Sequence, residues 1–201
     1  MSRLILVRHG KTKLHHADRF WGKTDVTLSN TGIRQAEQLR DRLATEKINA
    51  IYTSQLSRAR VTAEIIAAKH GVKTQSCSEL VEMNFGYVEG LTFQEIEKLH
   101  PKLAEELNDW NARPNFPGGE SFDNLDSRVQ SFLPRLKKHK EKETVLIVAH
   151  GGTLRLIICH LLRIDAKHWR KIRIDRASLS IIDTYPQGAI LSTLNDISHL
   201  K

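Results

Sequence analysis

Residues 4–10 read LILVRHG, four apolar side chains that stop at once in a charged loop containing glycine. A short run that is apolar at every position predicts a strand buried on both faces, as in the middle of a parallel sheet. The pattern returns at 144–152, TVLIVAHGG, where a second such strand leads straight into a histidine and two glycines. Around these two strands, helical and extended patterns alternate. Ser29 predicts the cap of a helix running to about Glu46, with Ile33, Ala36, Leu39 and Leu43 on one face. Strands are predicted at Ala50 to Thr53 and Thr74 to Cys77, separated by an alanine-rich helix from Ser57 to His70 that Gly71 ends. A helix carrying Leu154, Ile157, Ile158 and Leu161 follows the second histidine, and Leu179 to Thr184 pairs with Ile190 to Leu194 across 186-PQG-188 as a hairpin. This order predicts an α/β three-layer sandwich, with a mostly parallel sheet, helices on both faces and an antiparallel hairpin at one edge.

The rhythm breaks over about 83–135, which reads as a small cap inserted in a single 201-residue domain. Thr92 and Glu95 form a capping box for a short helix, and Pro101, Trp110 and 117-PGGES-121 follow. A helix with Phe122, Leu125, Val129, Phe132 and Leu136 on one stripe comes next, and Pro134 should kink or stop it near its end.

The chain carries 31 basic and 23 acidic residues, a net charge of +8. The densest basic run, Arg135 to Lys142, includes Glu141 and no Phe, Trp or Tyr, so it reads as a solvated helix end and no nucleic-acid partner is expected. Apolar runs such as Val145 to Ala149 are far too short for a bilayer span or a secretion signal, so a cytoplasmic protein without a membrane partner is expected. A small anionic molecule is the partner that remains, and no pattern speaks to oligomeric state. Cys77 and Cys159 lack metal or redox spacing, and the residues six positions on are Met83 and Asp165 rather than the arginine of a cysteine-phosphatase loop. His15 and His16 are adjacent and so point apart, and 22-GKT-24 has Ala17 where a P-loop needs glycine. Neither a metal nor a cofactor is expected.

Sites in doubly wound sheets lie beyond the carboxyl ends of the strands, so His9 and His150 should meet in one crevice. Four segments converge there: 7-VRHGKT-12, 53-TSQLSRARVTAE-64, 82-EMNFGYVEG-90 and 149-AHGG-152. Together they supply two histidines, two arginines and a carboxylate, the parts that phosphoryl transfer requires. Arg8 and Arg58 can fork onto phosphate oxygens, with His150 adding to the charge compensation. Positive neighbours should keep His9 neutral and nucleophilic. Glu82 can protonate the leaving alkoxide and then take a proton from water, although Glu79, Glu89 and Glu95 are acids close in sequence. Gly10 and Gly151 would allow close backbone approach to the phosphate. Trp21 and Gly22 fall at the expected substrate mouth, where Phe20 and Trp21 could equally anchor the loop, while Arg34 and Arg60 read as solvated helix residues.

Taken in order, RHG after the first strand, the arginine of 57-SRA-59, the glutamate of 82-EMNFG-86 and 149-AHGG-152 resemble the histidine phosphatase superfamily, which includes cofactor-dependent phosphoglycerate mutases. The resemblance covers nearly the whole chain. It implies that His9 is the nucleophile, Glu82 the proton donor, and Arg8, Arg58 and His150 the phosphate pocket. Residues 82–96, 117-PGGES-121 and 194-LNDISHL-200 look like α-ribazole phosphatases of cobalamin synthesis and related broad-specificity phosphatases. Mutases of the family carry an arginine directly after the catalytic glutamate and a lysine at the place of Thr92. Here Met83 follows the glutamate, so the resemblance implies a pocket that holds a second phosphate or carboxylate poorly. His15 stands where many members place an asparagine against the phosphate. A mutase, or a non-catalytic module that binds phosphorylated ligands, would use the same pocket.

Overall fold

The structure, a computed structural model, describes residues 2–14 and 19–200. Six strands, β1 (Ser2–Arg8), β2 (Ile48–Ser54), β3 (Thr74–Cys77), β4 (Thr144–Ala149), β5 (Leu179–Tyr185) and β6 (Gly188–Asp196), form one sheet in the order β3-β2-β4-β1-β5-β6. The pairs β3/β2, β2/β4 and β4/β1 are parallel, whereas β1/β5 and β5/β6 are antiparallel. The expected α/β sandwich with its edge hairpin is therefore the observed one.

Leu4 to Val7 and Val145 to Ala149 are each at most 1% exposed, as a central strand with helices on both sides requires. Alternate side chains serve opposite layers. Leu4, Leu6, Val145 and Ile147 pack with α5 (Phe122–Leu136) and α6 (Gly151–Leu162), while Ile5, Val7, Leu146 and Val148 pack with α1 (Asn30–Leu43) and α2 (Ser57–Ala67). In β2 an irregularity between Ile48 and Ala50 shifts the register against β4. Ile48 and Ile51 consequently share one face, and Ala50 and Tyr52 the other.

Local signals fix the helix starts. The Ser29 side chain accepts from the backbone N–H of Gly32, and Thr92 with Glu95 makes both bonds of a capping box on α3 (Phe93–Leu99). α1 ends at Leu43 and α2 at Ala67, three residues short of each expected end, in turns that precede β2 and Gly71. Pro134 does not stop α5, which continues to Leu136. It removes a single backbone donor in the last turn, and Phe132 and Leu136 on either side are buried. Between β3 and α5 lie α3, α4 (Pro101–Asn108) and two short 3₁₀ turns, Ser78–Leu80 and Gly86–Val88. α5 itself packs beside α6 on the sheet. Among the described residues no helix is long and apolar enough to cross a membrane.

The chain leaves β1 toward α1 on one face and leaves β4 toward α6 on the other. Because β1 and β4 are neighbours, a crevice opens beyond their carboxyl ends.

Phe132 is fully buried in the α5/α6 layer, with its ring edge-on to Tyr52 at 5.5 Å. Phe132→Ala is expected to lower unfolding free energy by about 3–5 kcal/mol in urea denaturation. A loss below about 1 kcal/mol would show that this layer packs less tightly than described.

Candidate active site

His9 extends the β1/β4 ladder by one bond, from its backbone N–H to the Ala149 carbonyl at 3.1 Å. Its ring Nδ1 lies 2.8 Å from the Gly10 carbonyl. A carbonyl only accepts, so Nδ1 carries the proton and Nε2 presents a lone pair. His150, at the end of β4, caps α6 and is fully buried. Its Nδ1 accepts from Arg58 Nε at 3.3 Å, which leaves Nε2 to donate to Ser54 Oγ at 2.8 Å. The two imidazoles stand 5.1 Å apart between ring centroids. Burial first, and then the charge of Arg58, hold both rings well below the usual histidine value of 6.5. His150 is thus a neutral ring behind His9, not the cation expected from sequence.

Arg58 enters from the first turn of α2 and is 2% exposed. Its guanidinium also donates to the Thr24 carbonyl at 2.8 Å and to the Gly22 carbonyl at 2.5 Å. Thr62 Oγ1, one turn on, accepts from Gly10 N–H at 3.3 Å and donates to the Arg58 carbonyl at 2.8 Å, which ties the His9 loop to α2. Arg8 donates from Nη1 to the Ile174 carbonyl at 2.7 Å, while its buried Nε has no partner among the described residues. Desolvation, and then repulsion by Arg176, push its guanidinium down to about 10.

Glu82 lies against the start of α6. Its Oε1 accepts from Met83 N–H at 3.0 Å and its Oε2 from Gly152 N–H at 3.1 Å, at the positive end of the helix. The backbone before it is pinned by Arg128 of α5, which donates to the Glu79 and Val81 carbonyls at 3.0 and 2.7 Å, and by Thr153 Oγ1 to Val81 at 3.0 Å. The other nearby acids are committed elsewhere. Glu79 pairs with Arg135 at 2.6 Å, and Glu95 caps α3 and meets Arg19 at 2.7 Å. Glu89 accepts N–H bonds from Gly22, Lys23, Thr24 and Phe85.

Arg8, His9, Arg58, Glu82 and Gly151 line one cleft of about 380 Å³, together with Trp21. Trp21 also anchors its loop, donating from Nε1 to the Leu14 carbonyl at 3.0 Å and covering Gly90, so the same side chain lines the cleft and holds its loop. Gly10 and Gly22 stand outside the lining and are close to protein backbone instead. A Cβ on Gly10 would meet the Gly32 carbonyl oxygen at 2.5 Å, and one on Gly22 would meet that of Met83 at 1.8 Å. Gly151 packs on Arg8, whose Cζ would lie 3.3 Å from an added Cβ. His15 lies outside the described residues. A larger concavity of about 680 Å³, with Leu4, Leu133, His139 and His160 in its wall, contains none of these groups.

Sequence reasoning missed Gly152, Trp169 and four cleft arginines. A Cβ at Gly152 would fall 2.6 Å from Glu82 Oε1 and 3.1 Å from the Trp169 ring, so only glycine lets the carboxylate sit on the helix start. Arg19, Arg155, Arg170 and Arg176 join Arg8 and Arg58 along the cleft, and Glu82 is the sole acid among its described lining residues. Arg155, Arg170 and Arg176 thus bring positive charge to the cleft from α6 and from residues 166–176, whereas Met83 and Thr92 supply none. Among the described residues no three His, Cys, Asp or Glu side chains are grouped to hold a metal ion.

This cleft, between a neutral imidazole and a fan of guanidiniums, opens at the switch point of the sheet, and the chain that builds it matches known proteins along nearly its whole length. The chain belongs to the histidine phosphatase superfamily, whose branch 1 model matches residues 4–197. It is 31% identical over 203 residues to phosphoserine phosphatase 1 of Hydrogenobacter thermophilus, covering all of this chain and 95% of that one. Among solved structures it resembles the α-ribazole phosphatase of Shigella flexneri, with a TM-score of 0.89, 30% identity and 96% of each chain covered. It also resembles a phosphoserine phosphatase mutant of Entamoeba histolytica in complex with phosphoserine, with a TM-score of 0.84, 26% identity and all of both chains covered.

Neutral buried histidines must gain protons on unfolding once the pH is below 6.5. The unfolded state then binds more protons, so stability is complete above about 6.5 and falls with decreasing pH. Each ring contributes a slope of up to about 1.4 kcal/mol per pH unit. Urea melts from pH 5 to 8 should show this fall, and His150→Asn should flatten it; an unchanged slope in the variant would refute the linkage.

Proposed function

We propose that the chain is a cytoplasmic, metal-independent phosphatase that hydrolyses small phosphate monoesters through a phosphohistidine on His9. The observation that carries this reading is the His9 tautomer: Nδ1 held by the Gly10 carbonyl turns the Nε2 lone pair free for attack, with Arg8, Arg58 and Glu82 lining the same cleft. Arg8 and Arg58 gather the phosphate oxygens, which offsets the charge that would repel a nucleophile. Nε2 attacks phosphorus as the ester P–O bond breaks, and Glu82, in its acid form, protonates the departing alkoxide. The resulting carboxylate takes a proton from water as the water oxygen attacks phosphorus, the P–N bond breaks, and inorganic phosphate leaves. No step requires a metal ion.

The segment expected as a cap, about 83–135, contributes Phe85, Phe93, Leu107 and Phe116 to the cleft wall, beside Phe20 and Trp169. That wall faces the leaving alcohol in this reading. Two alcohol classes suit the chain: a sugar alcohol that carries a flat aromatic base, as in α-ribazole 5′-phosphate, and a short acid, as in the phosphoserine named for one relative. Isomerisation of 3-phosphoglycerate is the alternative activity, and release of inorganic phosphate separates the two.

With p-nitrophenyl phosphate, His9→Ala is expected to lower kcat at least about 10³-fold and to abolish the acid-labile phosphoenzyme, whereas a chelator leaves the native rate unchanged. Full activity in the variant would end the phosphohistidine reading, and loss with chelator would end metal independence. Gly152→Ala, which displaces the Glu82 carboxyl, is expected to lower kcat on alkyl phosphates by about 10²-fold, as for loss of a general acid. Unaltered turnover would remove Glu82 from that role.

A further inference from the structure

We propose that Glu120 and Arg128 are a positioning pair for the proton donor, clamping the backbone of residues 79–84 so that the Glu82 carboxyl is presented to the leaving oxygen. This rests on the role given to Glu82 in the phosphatase reading and deepens it.

Glu82 sits on neither a strand nor a helix, but between the 3₁₀ turns Ser78–Leu80 and Gly86–Val88. Carbonyls in such a stretch have no ladder to join and need partners from elsewhere. Arg128 supplies them. Its Nη1 donates to the Glu79 and Val81 carbonyls at 3.0 and 2.7 Å, and its Nη2 to that of Glu82 at 3.4 Å. Its Nε and Nη2 also donate to Glu120, at 3.0 Å to Oε1 and 2.9 Å to Oε2. These five bonds engage all five N–H groups of the guanidinium. Glu120 closes the clamp on the other side of Glu82, where its Oε2 accepts from Asn84 N–H at 2.9 Å.

The turn 117-PGGES-121, which the phosphatase reading leaves without a role, fixes Glu120 in turn. Glu120 N–H donates to the Asn84 carbonyl at 2.8 Å, and Tyr87 N–H to that of Pro117 at 2.9 Å. A Cβ on Gly119 would collide with the Asn84 carbonyl oxygen, so only glycine permits this approach of two backbones. Ser121 then caps α5, the helix that carries Arg128. Neither member of the pair is among the described lining residues of the cleft, so its effect on the reaction passes through Glu82. The Glu82 carboxyl bridges two bodies, with Met83 N–H on the clamped segment and Gly152 N–H on α6. Loosening the segment against α6 breaks that bridge, and a displacement of about 1 Å at a reacting group costs up to about 10²-fold in rate.

The test uses leaving groups of different basicity. p-Nitrophenolate departs without a proton, whereas the alkoxide of benzyl phosphate needs one, and the two rings are similar in size. The ratio kcat/KM covers the steps up to the phosphoenzyme, so its later hydrolysis does not enter. Glu82→Gln sets the full loss on benzyl phosphate, expected to be about 10²-fold or more. Arg128→Lys keeps the charge but has too few donors for these acceptors, and Glu120→Gln keeps the volume but leaves a single acceptor oxygen. Each is expected to lower kcat/KM on benzyl phosphate by about tenfold or more, and on p-nitrophenyl phosphate by less than about threefold. Equal losses on the two esters, or no loss on either, overturn the positioning role. Should Arg128→Lys not fold, Glu120→Gln carries the test. The Gly152 amide proton, which Glu82 Oε2 accepts, gives a readout without turnover. Both variants are expected to move its NMR signal upfield, and an unmoved signal overturns the proposal as well. If Glu82→Gln leaves benzyl phosphate turnover intact, or the native chain turns over neither ester, the phosphatase reading of Glu82 fails. The Gly152 signal then decides by itself whether the pair positions the carboxyl.

Discussion

The parallel pairing of β1 with β4, in the register that sets Arg8 opposite Ala149, is the constraint on which the site depends. Both strands end at the same height, so the residue after each, His9 and His150, arrives at one level with the rings about 5 Å apart. A slip of one residue would reverse which face of β4 is buried with which helix layer, and the completely apolar cores on both sides would not adjust to it. The same core that stabilises the sheet therefore sets the spacing of two imidazoles that are 141 positions apart in the chain.

Around those imidazoles, burial and charge act in the same direction. Taking a histidine out of water disfavours its cation, and so does a guanidinium alongside, so His9 and His150 stay neutral without a carboxylate partner. Arg8, Arg58, Arg155 and Arg170 are arranged by backbone carbonyls rather than by acids, which orients them without cancelling their charge. That arrangement is costly for an isolated fold, because like charges repel in a partly dry cleft. It becomes favourable when an anion enters, which is a form of preorganisation.

Much of this was legible in the sequence because it resides in short segments at strand ends. LILVRHG and TVLIVAHGG announce both the buried strands and the histidines that follow them, and Ser29 and Thr92 cap the helices they precede. Arg155 could have been found as well, since HGGTLR places it one helical turn from Gly151. Arg170, Arg176 and Trp169 could not, because they come from a stretch of 3₁₀ turn and irregular loop with no periodicity to read. Glu82 was one of four acids by sequence, and the distinction is made by what the other three bind. Gly10 illustrates a different limit. A glycine signals close approach but not the neighbour, and that neighbour, Gly32, lies on α1.

Glu89 gathers four backbone N–H groups from Gly22, Lys23, Thr24 and Phe85. The carbonyls of Gly22 and Thr24 in turn receive the guanidinium of Arg58. A carboxylate outside the cleft lining therefore acts as the mooring for the stretch of loop that aims a cleft arginine. Damage to this mooring would surface as poor anion capture in a molecule whose reacting groups are all intact, and would be mistaken for a defect in the pocket itself.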